Sequence, residues 1–232
     1  MFEGLLDIFF PKRCVSCNQL GTFVCEGCFS KIPALEKQYC PGCGEPSILG
    51  YHHPFCRKRK SIDQMYSGYW YKGVGNVVLK HFKYTEPGLA LQPFIKELVL
   101  NSLDESLLEL WDDAVFCPTP LFWAREKKRG FNQAQIIADV IADWCGNKRA
   151  VSLLKRTRHT NPQSETPLEL RNRNVHDSFG IKREVVGLNI KSVVLVDDVV
   201  TSGSTLHACA KQLRNKLHVQ NVFAYTLFKG RL

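Results

Sequence analysis

Two hydrophobic rhythms alternate along this chain. Val193 to Val196 is an unbroken run of strand-forming residues, which predicts a strand buried on both faces, as in a parallel sheet. Ile62 to Tyr71, rich in aromatics, Asp113 to Cys117, and Val219 to Phe228 predict three more strands, and Pro118-Thr119-Pro120 stops the second of these. Between the strands the spacing becomes helical, over Val74 to Lys83 and Leu89 to Ser102, with Leu103 to Leu110 continuing that character. Phe131-Asn132-Gln133 opens a helix that carries Ala134, Ile137, Ala138, Ile141, Ala142 and Cys145 on one face, and Gly146-Asn147 closes it. Gly203 to Leu217 repeats the pattern through Leu206, Ala210, Leu213 and Leu217. Periodicity is lost from Lys155 to Asn174, which predicts a long polar loop with one helical turn near Leu168 to Arg171, the kind of segment that serves as a lid. Strands alternating with helices predict an α/β body built on a mostly parallel sheet with flanking helices.

Composition narrows the picture. A chain of 232 residues with 44% hydrophobic residues can bury a real core, which excludes global disorder and suits one α/β domain with a small appendage. The net charge of +9 favours anionic partners: nucleic acid, phosphorylated ligands or an acidic protein. No apolar run approaches the ~20 residues a membrane span needs. The start, Met1 to Pro11, is amphipathic and acidic and lacks the basic opening and small-residue cleavage site of a signal peptide. The expected location is therefore cytoplasmic, where thiols stay reduced and cysteines read as metal ligands rather than disulfides.

Seven of the ten cysteines lie between Cys14 and Cys56. Cys14-x2-Cys17, Cys25-x2-Cys28 and Cys40-x2-Cys43 are successive knuckles, each able to turn two thiolates toward one Zn²⁺. A redox dithiol would need only one such pair. Cys14, Cys17, Cys25 and Cys28 make a complete four-cysteine set. Cys40, Cys43 and Cys56 form an incomplete one, because Arg59 stands where a fourth cysteine would close it, and His53 or His52 can fill the place. Crossed pairing of the first and third knuckles is an alternative. These sites imply a zinc-ribbon domain over residues 1–60 and an α/β domain over 61–232. Cys117, Cys145 and Cys209 stand alone in apolar stretches and read as core residues.

The chemistry concentrates in Val193 to Thr205. A buried strand ends in Asp197 and Asp198, where open α/β sheets bind ligands. Thr201, Ser202, Gly203, Ser204 and Thr205 then supply hydroxyls, backbone N–H groups and a glycine at the start of a helix, which is the equipment of a phosphate cradle. Helix capping is the competing reading, since Asp, Ser and Thr are ordinary N-cap residues. No Walker A loop occurs in the chain. Basic and aromatic residues interleave at Trp70-Tyr71-Lys72, at Lys80 to Tyr84, and from Phe122-Trp123 through Arg129, a mixture that suits single-stranded DNA where the rings are not simply packed in the core.

The Val193 to Thr205 segment resembles the phosphoribosyl-pyrophosphate (PRPP) motif of type I phosphoribosyltransferases. Together with the zinc knuckles, Arg129-Gly130-Phe131-Asn132-Gln133, and the string from Arg156 through Thr160 to Gln163, the chain from about Cys14 onward resembles the ComF/GntX family. The resemblance implies a phosphoribosyltransferase-like fold in which Asp197 and Asp198 hold the ribose and Thr201 to Thr205 the 5-phosphate. Thr119, within the Pro118 to Leu121 turn, would face pyrophosphate, and Arg125, Arg129 and Arg156 would neutralise its charge, with Mg²⁺ accompanying the ligand. It further implies a role in DNA uptake, through single-stranded DNA, a DNA-uptake ATPase partner, or both. Phosphoribosyl transfer to an unidentified acceptor is the alternative activity.

Overall fold

The computed structural model describes residues 11–59, 61–146, 150–157 and 178–230. The N-terminal segment Met1 to Phe10, the helix-closing Asn147, and the greater part of the expected lid, residues 158–174, lie outside them.

The body is a parallel sheet. Strands β1 (Gln64–Trp70), β2 (Ala114–Pro118), β5 (Ser192–Val200) and β6 (Asn221–Lys229) lie in the order β1-β6-β5-β2. Strand periodicity divides the two central strands between two cores. Val194, Val196, Phe223, Tyr225 and Leu227 pack on one face against α2 (Gly73–Tyr84), α3 (Gln92–Ser102) and α6 (Gln133–Trp144). Val193, Leu195, Val222 and Ala224 pack on the other face against α7 (Ser204–Leu217). This is the expected α/β sandwich.

Several elements depart from the sequence expectation. Leu103 is extended, so the helical stretch after Ser102 breaks and restarts as the short α4 (Ser106–Leu110). The charged helix α5 (Trp123–Arg129) buries no residue, so it carries no apolar stripe to read. The expected polar loop begins instead with β3 (Leu154–Arg156), paired antiparallel to β4 (Phe179–Ile181). Strand β5 continues past the two acids to Val200, because Val199 and Val200 still pair with Phe228 and Lys229 of β6.

The cysteine-rich front end, which carries the short helix α1 (Glu26–Phe29), is joined to the body along the edge strand β1. Trp70 N–H donates to Pro33 O, Leu35 N–H donates to Gly68 O, and the Gln38 side chain bonds both the N–H and the carbonyl of Ser67. These bonds occupy backbone groups that an open sheet edge would leave unpaired. Cys14, Val24, Cys25, Cys28 and Ile32 join the same apolar cluster as Val78, Phe82 and Leu98.

Candidate functional site

Adjacent residues of a strand face opposite sides of the sheet, so the two acids enter different surroundings. Asp198 continues the Val194–Val196 face and meets Lys83, at the end of α2, with Nζ 2.8 Å from Oδ2. Asp197 continues the Val193–Leu195 face. There the Thr119 hydroxyl donates to its carboxylate, and Arg156 of β3 lies close enough to act on it electrostatically. Its Oδ1 also accepts the Asp198 N–H at 2.9 Å. One edge of Asp197 stays open to solvent, yet the carboxyl is pushed up to about 7, by burial first and then by the neighbouring Asp198. On the opposite face the Lys83 ammonium is held above its ordinary range: burial opposes its charge most strongly, but the Asp198 carboxylate, with Asp197 and Tyr84 behind it, more than offsets burial.

After Val200 only Thr201, Ser202 and Gly203 separate strand from helix. Gly203 is the N-cap of α7 in the left-handed region (φ 71°, ψ 1°), and no side chain caps the helix from that position. The first N–H groups of a helix lack intrahelical carbonyls, and a glycine cap has no oxygen to offer them. At the cap position itself no hydroxyl is available, so any side-chain contact to the first turn comes from its neighbours. Ser202 and Ser204 pair their hydroxyls at 2.9 Å, and Ser204 N–H sits 3.5 Å from Ser202 Oγ.

The basic residues divide. Arg125 lies beside Arg156, whose guanidinium is pushed below its ordinary range by burial and then by that neighbouring charge. Thr119 is buried at the end of β2. Its N–H donates to Val196 O and its carbonyl accepts from Asn132, whose Oδ1 caps α6 by accepting from Ala134 N–H. Thr119 and Arg156 are thus brought to Asp197, with Arg125 beside Arg156. Arg129 instead donates to Gln133 Oε1 at 2.8 Å and lies over the Tyr84 ring at 4.8 Å. Gln133 is buried, and its Nε2 finds no acceptor among the described residues.

Lys83 lies within the basic-aromatic stretch Lys80 to Tyr84, and the structure also brings it to Asp198. A signal was present: Gly75, Val78, Leu79 and Phe82 are the buried face of α2, and Lys83 stands four residues after Leu79, on the edge of that stripe. Core packing accounts for most of the aromatics nearby. Trp70 meets Tyr39, Tyr71 meets Phe228, and Phe82 is fully buried against Phe131. Tyr84, 71% exposed, and Trp123, 66% exposed, remain at the surface.

The front end holds two four-donor clusters. Cys14, Cys17, Cys25 and Cys28 bring their sulfurs within 4.8 Å of one another, and Cys40, Cys43, His53 and Cys56 do the same with three sulfurs and a ring nitrogen. Successive knuckles therefore group together, without crossing, and His53 stands in the fourth place of the second cluster. Its Nε2 donates to Pro46 O at 3.1 Å while Nδ1 faces Cys43 Sγ at 3.2 Å, the outer-shell support that fixes a histidine ligand's tautomer. Burial raises the Cys14 thiol, but the N–H groups of Cys17, Cys25 and Ser16 outweigh it and bring the group down to about 6. Both donor sets fit Zn²⁺ by number and chemistry. Cys117 and Cys209 are fully buried, and burial pushes Cys117 up to about 12, in keeping with inert core thiols.

An open cleft of about 500 Å³ lies between Tyr51, His52, Glu109 and Asn221 at the amino end of β5 and β6. It is at the wrong end of the strands for the acid pair and has no phosphate-binding loop.

Comparison with known proteins agrees with this arrangement. A family model described as a double zinc ribbon domain matches residues 5–59. Over 231 residues the chain is 28% identical to competence protein F of Haemophilus influenzae, covering 96% of this chain and 99% of that protein. Competence protein ComFC of Bacillus subtilis is 28% identical over 219 residues, covering 89% and 84%. DNA utilization protein YhgH of Salmonella typhimurium is 31% identical over 199 residues, covering 82% and 83%.

Proposed function

The chain belongs to the family of competence protein F, ComFC and DNA utilization protein YhgH, and on that premise we propose that it is a cytoplasmic DNA-uptake protein whose α/β domain binds PRPP. The carrying observation is the end of β5: two carboxylates on a central strand, followed at once by a helix whose N-cap is a left-handed glycine with no capping side chain. In this reading Asp197 and Asp198 hold the ribose hydroxyls. The N–H groups and hydroxyls of Thr201 to Thr205 hold the 5-phosphate. Thr119, Arg125 and Arg156 face the pyrophosphate, where guanidinium forks pair with phosphate oxygens. Mg²⁺ bound with the ligand supplies further neutralisation of pyrophosphate charge.

Residues 1–60 form the zinc-ribbon unit, with one Zn²⁺ in each cluster, and residues 61–232 form the phosphoribosyltransferase-like unit. No helix of the described residues is long and apolar enough to cross a membrane. The exposed rings of Tyr84 and Trp123, with Arg129 stacked on the first, support single-stranded DNA as a partner of the α2–α5 rim. A DNA-uptake ATPase is the protein partner this role calls for. The second reading, phosphoribosyl transfer, is favoured by the elevated proton affinity of Asp197, a feature common at catalytic sites.

Titration calorimetry with PRPP and Mg²⁺ tests the proposal. The wild type is expected to bind and the Asp197→Ala, Asp198→Ala double variant is not; a silent wild type removes the ligand claim. Pyrophosphate release in the presence of purine and pyrimidine bases separates transfer from binding alone. Single-strand DNA affinity is expected to fall steeply with salt, and a flat dependence argues against phosphate contacts.

A further inference from the structure

We propose that Lys83 is a positioning residue that makes this site selective for ribosyl over deoxyribosyl phosphates. The inference rests on reading the site as a ribose-phosphate cradle. It starts from the alternation of β5, which places Asp198 alone on the α2 face, away from the hydroxyl and guanidinium groups around Asp197. Lys83 approaches Oδ2 to 2.8 Å, with both side chains largely buried, at 17% and 12% exposure. Among the described residues, Oδ1 takes no hydrogen bond.

An ammonium is a compact point charge on a flexible stem. Here the stem rises from the last turn of α2, directly after the buried Phe82, on a helix packed on the sheet. The charged groups facing Lys83 are Asp198 first and Asp197 next, with the Tyr84 hydroxyl beyond them. The pair thus pins one oxygen of Asp198, leaving the other as an acceptor of set direction. A sugar hydroxyl satisfies that acceptor. A deoxyribose cannot, and it leaves a partly buried carboxylate oxygen without a donor, which is the circumstance in which a polar site rejects an analogue lacking one hydroxyl. Lys83 need not touch the ligand to have this effect. One consequence is that a 5′-phosphorylated DNA end, although it carries the same phosphate, is a poor occupant, so bound DNA is held elsewhere on the molecule.

The experiment measures the affinity of the full chain for ribose 5-phosphate and for 2-deoxyribose 5-phosphate, using wild type, Lys83→Met, Lys83→Arg and the double acid variant. Wild type is expected to prefer the ribose form by about tenfold or more. Lys83→Met is expected to bring the two affinities within about twofold of each other by losing the ribose form, with Lys83→Arg recovering most of the preference. Retained affinity for the deoxy form shows that Lys83→Met is folded and its phosphate loop intact. A wild-type preference that survives in Lys83→Met overturns the role of Lys83 and leaves the cradle standing. A wild type that binds neither sugar phosphate overturns the cradle and the proposal with it.

Discussion

At the scale of single residues, Asp197 links stability to function. Its proton is held more tightly in the folded chain than in the unfolded one, where a carboxyl titrates near 4. Its contribution to stability is therefore fully present below that range and is lost as the pH rises through about 7. Asp197→Asn removes the burden of the charge. It is expected to stabilise the protein by roughly 1–2 kcal/mol at pH 8, with a smaller gain at pH 5, while weakening PRPP binding. Urea unfolding at the two pH values checks the first half and calorimetry the second. His53 permits an equally local test, because the chain supplies three cysteines to the second cluster and no fourth. His53→Ala is expected to lower bound zinc from about two ions per chain to about one, and His53→Cys to keep about two, by elemental analysis of the purified protein.

At the scale of elements, the junction of β5 and α7 carries the argument. Gly203 adopts a φ of +71°, and a Cβ added there would lie 3.4 Å from the His207 ring. Gly203→Ala is expected to cost about 1–2 kcal/mol, the ordinary penalty for a side chain in the left-handed region. It is also expected to reduce PRPP affinity by more than that loss explains, since the N–H groups of the first turn would be re-aimed. Thermal unfolding together with titration separates the two effects. The β5–α7 unit was legible because its apolar run and its loop are contiguous. Helix α5 was not, because it is short and charged and its exposure erases periodicity. Strands β3 and β4 escaped for a different reason: three residues each are too few to establish an alternation.

At the scale of the whole molecule, the zinc clusters and the candidate site are mechanically joined. His207 of α7 bonds Ser61 Oγ at 2.6 Å through Nδ1 and Pro41 O, inside the third knuckle, at 3.2 Å through Nε2. Arg214, further along α7, pairs with Asp63, and Asp63 also accepts the N–H of Val222 in β6. With Cys14, Cys25 and Cys28 inside the body's own apolar cluster, the two units share a core. Stripping the metal with a chelator is thus expected to lower the melting temperature of the entire chain in one transition, by about 10 °C or more. A separate low-temperature transition, with the body's melting unchanged, would show that the units unfold independently.

The sequence by itself determined what depends on near neighbours. Chain rhythm is enough for the strand–helix alternation, cysteine spacing for the knuckles, and the order of acids, hydroxyls and glycine for the loop at the head of α7. Tertiary structure alone decided what depends on which distant residues meet. It set Lys83 against Asp198 across 115 positions, sent the two adjacent acids to opposite faces of one strand, and chose His53 over His52 to complete a metal shell. The physical reason is that spacing in sequence is read by local backbone geometry. A partner in space is chosen by the packing of whole elements, and no local pattern encodes that choice.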